Sequence, residues 1–127
     1  MYPVHKNETG SFQELARAND VKFGQLSHLV ISSGCSRGNH YHKRKEEWFC
    51  CLRGECELKL TNINTKISRS IILTDSNCEF VKVNLCENHI ITNTNSEKEC
   101  ELLIIISEEY NEKDPDTFKP ADLCNYE

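Results

Sequence analysis

Two histidines one residue apart, His40 and His42, are followed by Glu47 and flanked by Gly34 and Gly54, giving the pattern G-x5-H-x-H-x4-E-x6-G. Alternate side chains of a strand project to the same face, so His40 and His42 point together. The four residues between His42 and Glu47 are enough for a loop that returns the carboxylate beside them. Two imidazoles and a carboxylate on one concave face are ligands suited to a transition metal.

Around this segment, strand signals recur at short intervals with turn residues between them, the pattern of an all-β sandwich or barrel. The expected strands span 24–33, 46–53, 55–63, 66–73, 78–83, 89–93 and 100–107. Arg53-Gly54-Glu55 reads as a tight turn and Asn62 to Thr65 as a hairpin loop. Ser11 to Asn19 reads as an edge strand or one short helix, and His5 as part of an unstructured N-terminus. From Glu108 on the chain turns polar and is expected to run extended over the surface, leaving a core at about 10–107. Parity puts Glu47, Phe49 and Cys51 on one face and Glu46, Trp48, Cys50 and Leu52 on the other. Trp48 and Leu52 need cover, so a second sheet or a second subunit is expected, with a homodimer as the reading.

With 127 residues the chain is expected to form one domain. A net charge of −5 argues against nucleic-acid binding, which needs a basic face. No apolar run is long enough to span a bilayer, LLIIIS being the length of a buried strand. The N-terminal MYPVHKNETG has no apolar signal-peptide segment, which predicts a cytoplasmic protein. Its eight cysteines are then expected as free thiols, with Cys50, Cys51, Cys56 and Cys100 acting as small buried apolar residues.

The glycine-bounded H-x-H-x4-E pattern resembles the first motif of the cupin superfamily, small jelly rolls also described as double-stranded β-helices. The second motif of that superfamily, roughly G-x5-P-x-G-x2-H-x3-N, is matched at His89 and Asn93, whereas Cys78, Asn84 and Cys86 stand at its glycine, proline and glycine positions. The resemblance implies that His89 is a fourth ligand beside His40, His42 and Glu47, and that Asn93 closes a turn or strand end. The missing glycines and proline put the turn before His89 in question.

A narrower resemblance covers Gly10 to about Phe118. The run GSFQELARANDVKFGQLSHLVISSGCSRGNHYHKRKEEWF and the tail segment YNEKDPDTF are similar to the C-terminal cupin domain of bifunctional reductase–epimerases of capsular polysaccharide synthesis. That resemblance implies a zinc-dependent epimerase acting at C3 of a nucleotide-linked 4-keto-6-deoxy sugar. In the family a separate domain reduces C4 with NADPH; no G-x-G-x-x-G occurs here, so no NAD(P) is expected and a separate NADPH-dependent reductase is the implied partner. More distantly, Arg37-Gly38-Asn39-His40-Tyr41-His42 resembles the R-G-x-H-x-H of sugar-nucleotide 3,4-ketoisomerases, in which two such histidines act as acid and base without metal. A non-catalytic carbohydrate-binding cupin is the third reading, since fold alone does not imply chemistry.

The proton beside a ketone can be removed when the enolate oxygen is stabilised, and a divalent metal does this as a Lewis acid. Zinc suits three imidazoles and a carboxylate; iron, nickel and manganese fit the same ligand types. Gln25 and Ser27 match the family's G-Q-x-S and are expected to face the pocket, while His28 between them in parity faces out and is a weak candidate base. Arg37 and Lys43, with Arg44 and Lys45, are candidates for a substrate diphosphate. Tyr41 reads as packing or a dimer contact, and Glu46 as a solvated partner of Lys43 or Lys45.

Overall fold

In the computed structural model, which describes residues 1–120, ten strands account for the regular structure. They are β1 (Val4–Asn7), β2 (Gly10–Gln13), β3 (Gln25–Ile31), β4 (Ser36–His40), β5 (Glu47–Arg53), β6 (Glu55–Asn62), β7 (Ser68–Thr74), β8 (Val81–Val83), β9 (Glu87–Asn93) and β10 (Cys100–Ile106). Every pairing is antiparallel. Two four-stranded sheets, ordered β3-β10-β5-β8 and β4-β9-β6-β7, build the jelly roll, and β1 and β2 form a separate hairpin. No helix occurs among the described residues, so none is long and apolar enough to cross a membrane.

The core lies between the two sheets because alternate residues of each strand turn inward. Phe49 and Cys51 of β5 and Leu102 of β10 meet Cys56, Leu58 and Leu60 of β6 and Ile91 of β9. Pairing fixes the alignment: Leu102 lies opposite Cys51, Leu58 opposite Ile91, and Leu60 opposite His89. A one-residue slip would expose all of these together, so the register is tightly specified. Cys50, Cys51, Cys56 and Cys100 are buried free thiols, as their strand positions imply; Cys124 lies outside the described residues.

Several expectations are corrected. The segment at 78–83 is a strand only over Val81–Val83, because Ser76 and Asn77 are still in a turn and the Cys78 thiol donates back to the Asp75 carbonyl (3.3 Å). His5 is not in an unstructured terminus; it pairs with Phe12 across the β1–β2 hairpin. At the tight turn read at Arg53-Gly54-Glu55, Gly54 has φ of 88° and carries the chain from one sheet to the other. Trp48 is 6% exposed within this one chain, with the Lys82 ammonium 5.9 Å from its ring centre, which removes it as grounds for a second subunit. Leu52 does remain partly exposed.

The polar tail also departs from expectation. It folds back onto the H-x-H loop, where Tyr41 and Phe118 exchange both backbone hydrogen bonds (2.9 and 3.0 Å) and stack their rings. Tyr41 therefore packs against its own chain's tail and is 1% exposed. Residues 121–127 of the tail lie outside the described residues.

Candidate metal centre

His40 ends β4 directly opposite His89 of β9. A bulge at Asn39, whose φ is 65°, adds one residue to β4 and turns His40 inward beside His89. Gly38 allows this approach: its φ is 99°, and a Cβ there would lie 2.6 Å from the His89 carbonyl. Glu47 comes from the facing sheet, at the start of β5. The cluster therefore spans both sheets at one end of the barrel.

His89 is aimed by the turn before it. Cys86 takes the left-handed backbone (φ 60°) at a glycine position of the motif, its N–H donates to the His42 carbonyl (2.8 Å), and its carbonyl accepts from Ile63 N–H (3.0 Å). The lost glycines and proline leave His89 in place, because these two bonds hold the turn. Asn93 does close a strand end, donating to the Ile31 and Lys98 carbonyls and accepting from Asn95 N–H.

One ligand atom from each of His40, His42, Glu47 and His89 can be chosen so that all four lie within 4.8 Å of one another. His42, Glu47 and His89 are buried and His40 is half-buried. His42 Nδ1 lies 2.6 Å from the Asp116 carbonyl, which can only accept, so Nδ1 carries the proton. His42 Nε2 and Glu47 Oε1 are 2.6 Å apart yet not aligned as a hydrogen bond, and neither has a hydrogen-bond partner among the described residues, although His89 Nε2 lies 3.6 Å from the same oxygen. A lone pair and a carboxylate oxygen this close, both out of water, call for a positive centre between them. The residues thus fit a divalent ion, and the Nδ1 bond is of the kind that orients a metal-binding imidazole.

Burial lowers the His89 pKa to about 4, because an imidazolium there would lose its water. Burial, then the neighbouring His42, lowers that of His40. Burial would raise the Glu47 carboxyl, but the His42 ring against it and the coulombic pull of His89, His42 and His40 outweigh it and hold the pKa below its ordinary value. Two neutral imidazoles and one carboxylate at neutral pH are in the protonation states that metal binding needs.

A cavity of about 190 Å³ opens on the cluster, lined by Arg37, His40, Glu47 and His89 with Phe49 and Ile91. It has room for a small ring. A larger hollow of about 760 Å³, lined by Arg53, Asp75 and Glu97 among others, lies at the far end of β5, away from these groups.

Of the candidate substrate residues, Arg37 is exposed and lines the cavity. Gln25 and Ser27 share an inward-facing side of β3 and bond to each other (2.9 Å), with Gln25 Oε1 accepting from Tyr110 N–H. His28 turns to the opposite side and pairs with Glu101 (3.2 Å), so it is not brought to the cavity. Lys43 holds its ammonium 4.3 Å from the Phe118 ring centre. Arg44 is engaged by Glu108 (2.7 Å) and Asp114 (3.1 Å) rather than standing ready for an anion. Glu46 pairs with Lys22 and Lys82, not with Lys43 or Lys45.

The sequence reading placed Asp116 only in the polar tail and Lys45 only among the candidates for a substrate diphosphate. Asp116 is buried, and its carboxylate accepts from the backbone N–H groups of Lys43, Arg44 and Lys45 (3.2, 2.8 and 2.9 Å). Lys45 is 8% exposed, with its ammonium 5.8 Å from the Tyr110 ring centre, and its charge reaches His40. The alternation Lys45, Glu47, Phe49 was a usable signal for Lys45; the link from Asp116 to residues some seventy positions earlier had none.

Fold and site together define a cupin jelly roll with a three-histidine, one-carboxylate centre. The chain belongs to the polysaccharide biosynthesis C-terminal domain family, whose model matches residues 5–118. It is 29% identical over 116 residues to the UDP-2-acetamido-2,6-beta-L-arabino-hexul-4-ose reductase of Pseudomonas aeruginosa, covering 91% of this chain and 30% of that protein. It thus spans about a third of that relative's length. A 3,4-ketoisomerase from Helicobacter canadensis shares the fold with a TM-score of 0.78 at 22% identity, over 96% of this chain and 89% of that one. The dTDP-6-deoxy-D-glucose-3,5-epimerase RmlC of Legionella pneumophila does so with a TM-score of 0.77 at 16% identity, over 93% and 69%.

Proposed function

We propose that this chain is a zinc-dependent epimerase acting at C3 of a nucleotide-linked 4-keto-6-deoxy sugar in surface polysaccharide or glycan synthesis. The observation that carries the metal dependence is the 2.6 Å approach of His42 Nε2 to Glu47 Oε1, unaligned and with no hydrogen-bond partner for either atom. His40, His42, Glu47 and His89 would hold the ion. When bound, it supplies Lewis-acid polarisation of the keto oxygen, which makes the adjacent C–H acidic.

The chain's own groups do the rest. Phe49 and Ile91 line the cavity with apolar surface and keep water from the reacting carbon. Arg37 at its edge binds the diphosphate. Inversion at C3 needs a base on one face and a proton donor on the other; Lys45, 8% exposed and with its charge reaching His40, is the group we assign as the donor. An NADPH-dependent reduction of the product is the further step this reading implies, in keeping with the reductase name of the Pseudomonas relative.

A second reading has one observation in its favour. His40 is neutral at pH 7 and borders the cavity, so it can take a proton and return it, the role a metal-free 3,4-ketoisomerase needs.

The test is metal content of the purified protein beside a His40→Ala, His42→Ala double variant, followed by exchange of the substrate's C3 proton in deuterated water with and without chelator. One equivalent of zinc, lost in the variant, with chelator-sensitive exchange, is the expected result. Chelator-insensitive turnover would move the assignment to the ketoisomerase. Absence of any exchange or turnover would leave a carbohydrate-binding module.

A further inference from the structure

The H-x-H loop is held on both sides of His42 by one short piece of the tail. Before it, Tyr41 is bridged to and stacked on Phe118. After it, three successive backbone N–H groups, of Lys43, Arg44 and Lys45, converge on the Asp116 carboxylate. Between the two, His42 Nδ1 donates to the Asp116 carbonyl at 2.6 Å. Asp116 reaches all these partners at once because its φ is 51°, a backbone state that costs a non-glycine residue about 1–3 kcal/mol. Strain of this kind persists where the surroundings over-determine it, and here four hydrogen bonds do so.

The carbonyl has a chemical consequence. A neutral imidazole carries its proton on either ring nitrogen, and the partner of one nitrogen decides which. With Nδ1 facing a carbonyl oxygen, the proton stays on Nδ1 and Nε2 keeps its lone pair toward Glu47 and His89. Released from that carbonyl, the ring would be free to protonate Nε2 and to rotate, and neither state offers a ligand atom to the centre.

We propose that Asp116 is the positioning residue of this centre, its carbonyl fixing the tautomer of His42 and its carboxylate locking the loop that carries it. The part of this inference that concerns metal affinity rests on the metal-centre reading above; the part that concerns the tautomer does not.

The experiment is long-range proton–nitrogen NMR of the full chain labelled with nitrogen-15 in histidine, without metal, for the natural protein, Asp116→Asn and Asp116→Ala. Zinc affinity of each is then measured by competition with a chromophoric chelator. In the natural protein His42 is expected as the Nδ1–H tautomer. In Asp116→Ala it shifts toward Nε2–H, and zinc binding weakens by about 10- to 100-fold. Asp116→Asn keeps one oxygen acceptor for the loop and falls between the two, which also serves if Asp116→Ala fails to fold. An unchanged His42 tautomer with zinc affinity within about twofold in folded variants overturns the proposal. If the natural protein binds no zinc, the metal reading fails, and the tautomer shift alone then decides the role of Asp116.

Discussion

Cys86 holds a left-handed backbone conformation that L-residues adopt at a cost of about 1–2 kcal/mol. Glycine would remove that cost and lose part of the gain to its freer unfolded chain. Cys86→Gly is therefore expected to raise stability by about 0.5–1 kcal/mol in urea unfolding, with metal affinity unchanged. Gly38 is the opposite case. Its φ of 99° and the His89 carbonyl 2.6 Å from any Cβ leave no room for a side chain, and the obstacle is backbone. Gly38→Ala is expected to cost about 2 kcal/mol or more in the same measurement and to weaken metal binding, since β4 must part from β9. At this scale Lys45→Met tests the donor assignment: it should depress formation of the C3 epimer by about 100-fold while metal content stays at one equivalent.

Strand β5 is buried on both faces through its first five residues, with Glu47, Phe49 and Cys51 inward and Trp48 and Cys50 outward. Such a strand reads as a continuous apolar run and was legible from the sequence for that reason. It also carries Glu47 to the centre, so its packing and the site are one problem. Phe49→Ala should cost about 3–5 kcal/mol by urea unfolding, because it opens a cavity beneath His89, whose ring centre is 5.5 Å from that of Phe49. Strand β1 was missed, β2 was read only as one of two alternatives and β4 was left out of the expected strands, for the converse reason. VHKN, GSFQ and SRGNH are mostly exposed and show no alternation of burial, and only their backbone pairing makes them strands.

Across the whole molecule, the buried titrating groups make the metal-free protein sensitive to acid. His89 and His40 have folded pKa values below the ordinary 6.5, that of His89 at about 4, so the unfolded chain binds more protons in this interval. Stability therefore falls as the pH drops from about 6.5 toward 4. Glu47 and Asp116 are also held below their ordinary values of 4.5 and 3.8. For Asp116, burial alone would raise the carboxyl, but the N–H groups of Lys45, Arg44 and Lys43 outweigh it. Their contribution is present above those values and is lost as the pH falls through the folded ones. Calorimetry without metal should show a melting temperature falling by on the order of 5 °C or more between pH 7 and pH 4.5. At pH 7, zinc at a hundred times its dissociation constant should add about 2.7 kcal/mol.

That His40, His42 and Glu47 come together was legible from their spacing, and that His89 joins them from the resemblance to the second cupin motif. The inward and outward faces of β5 and the buried cysteines were legible too, since apolar periodicity is itself a record of burial. The tertiary structure alone decided how the turn at Cys86 keeps its shape, and whether Trp48 needs a second chain. It alone decided that the positive loop at 43–45 is occupied by acidic residues of the tail, and that Asp116 fixes the ring of His42. Each of these depends on contacts between residues far apart in sequence, and chain spacing carries no signal for which backbone carbonyl will meet which ring nitrogen.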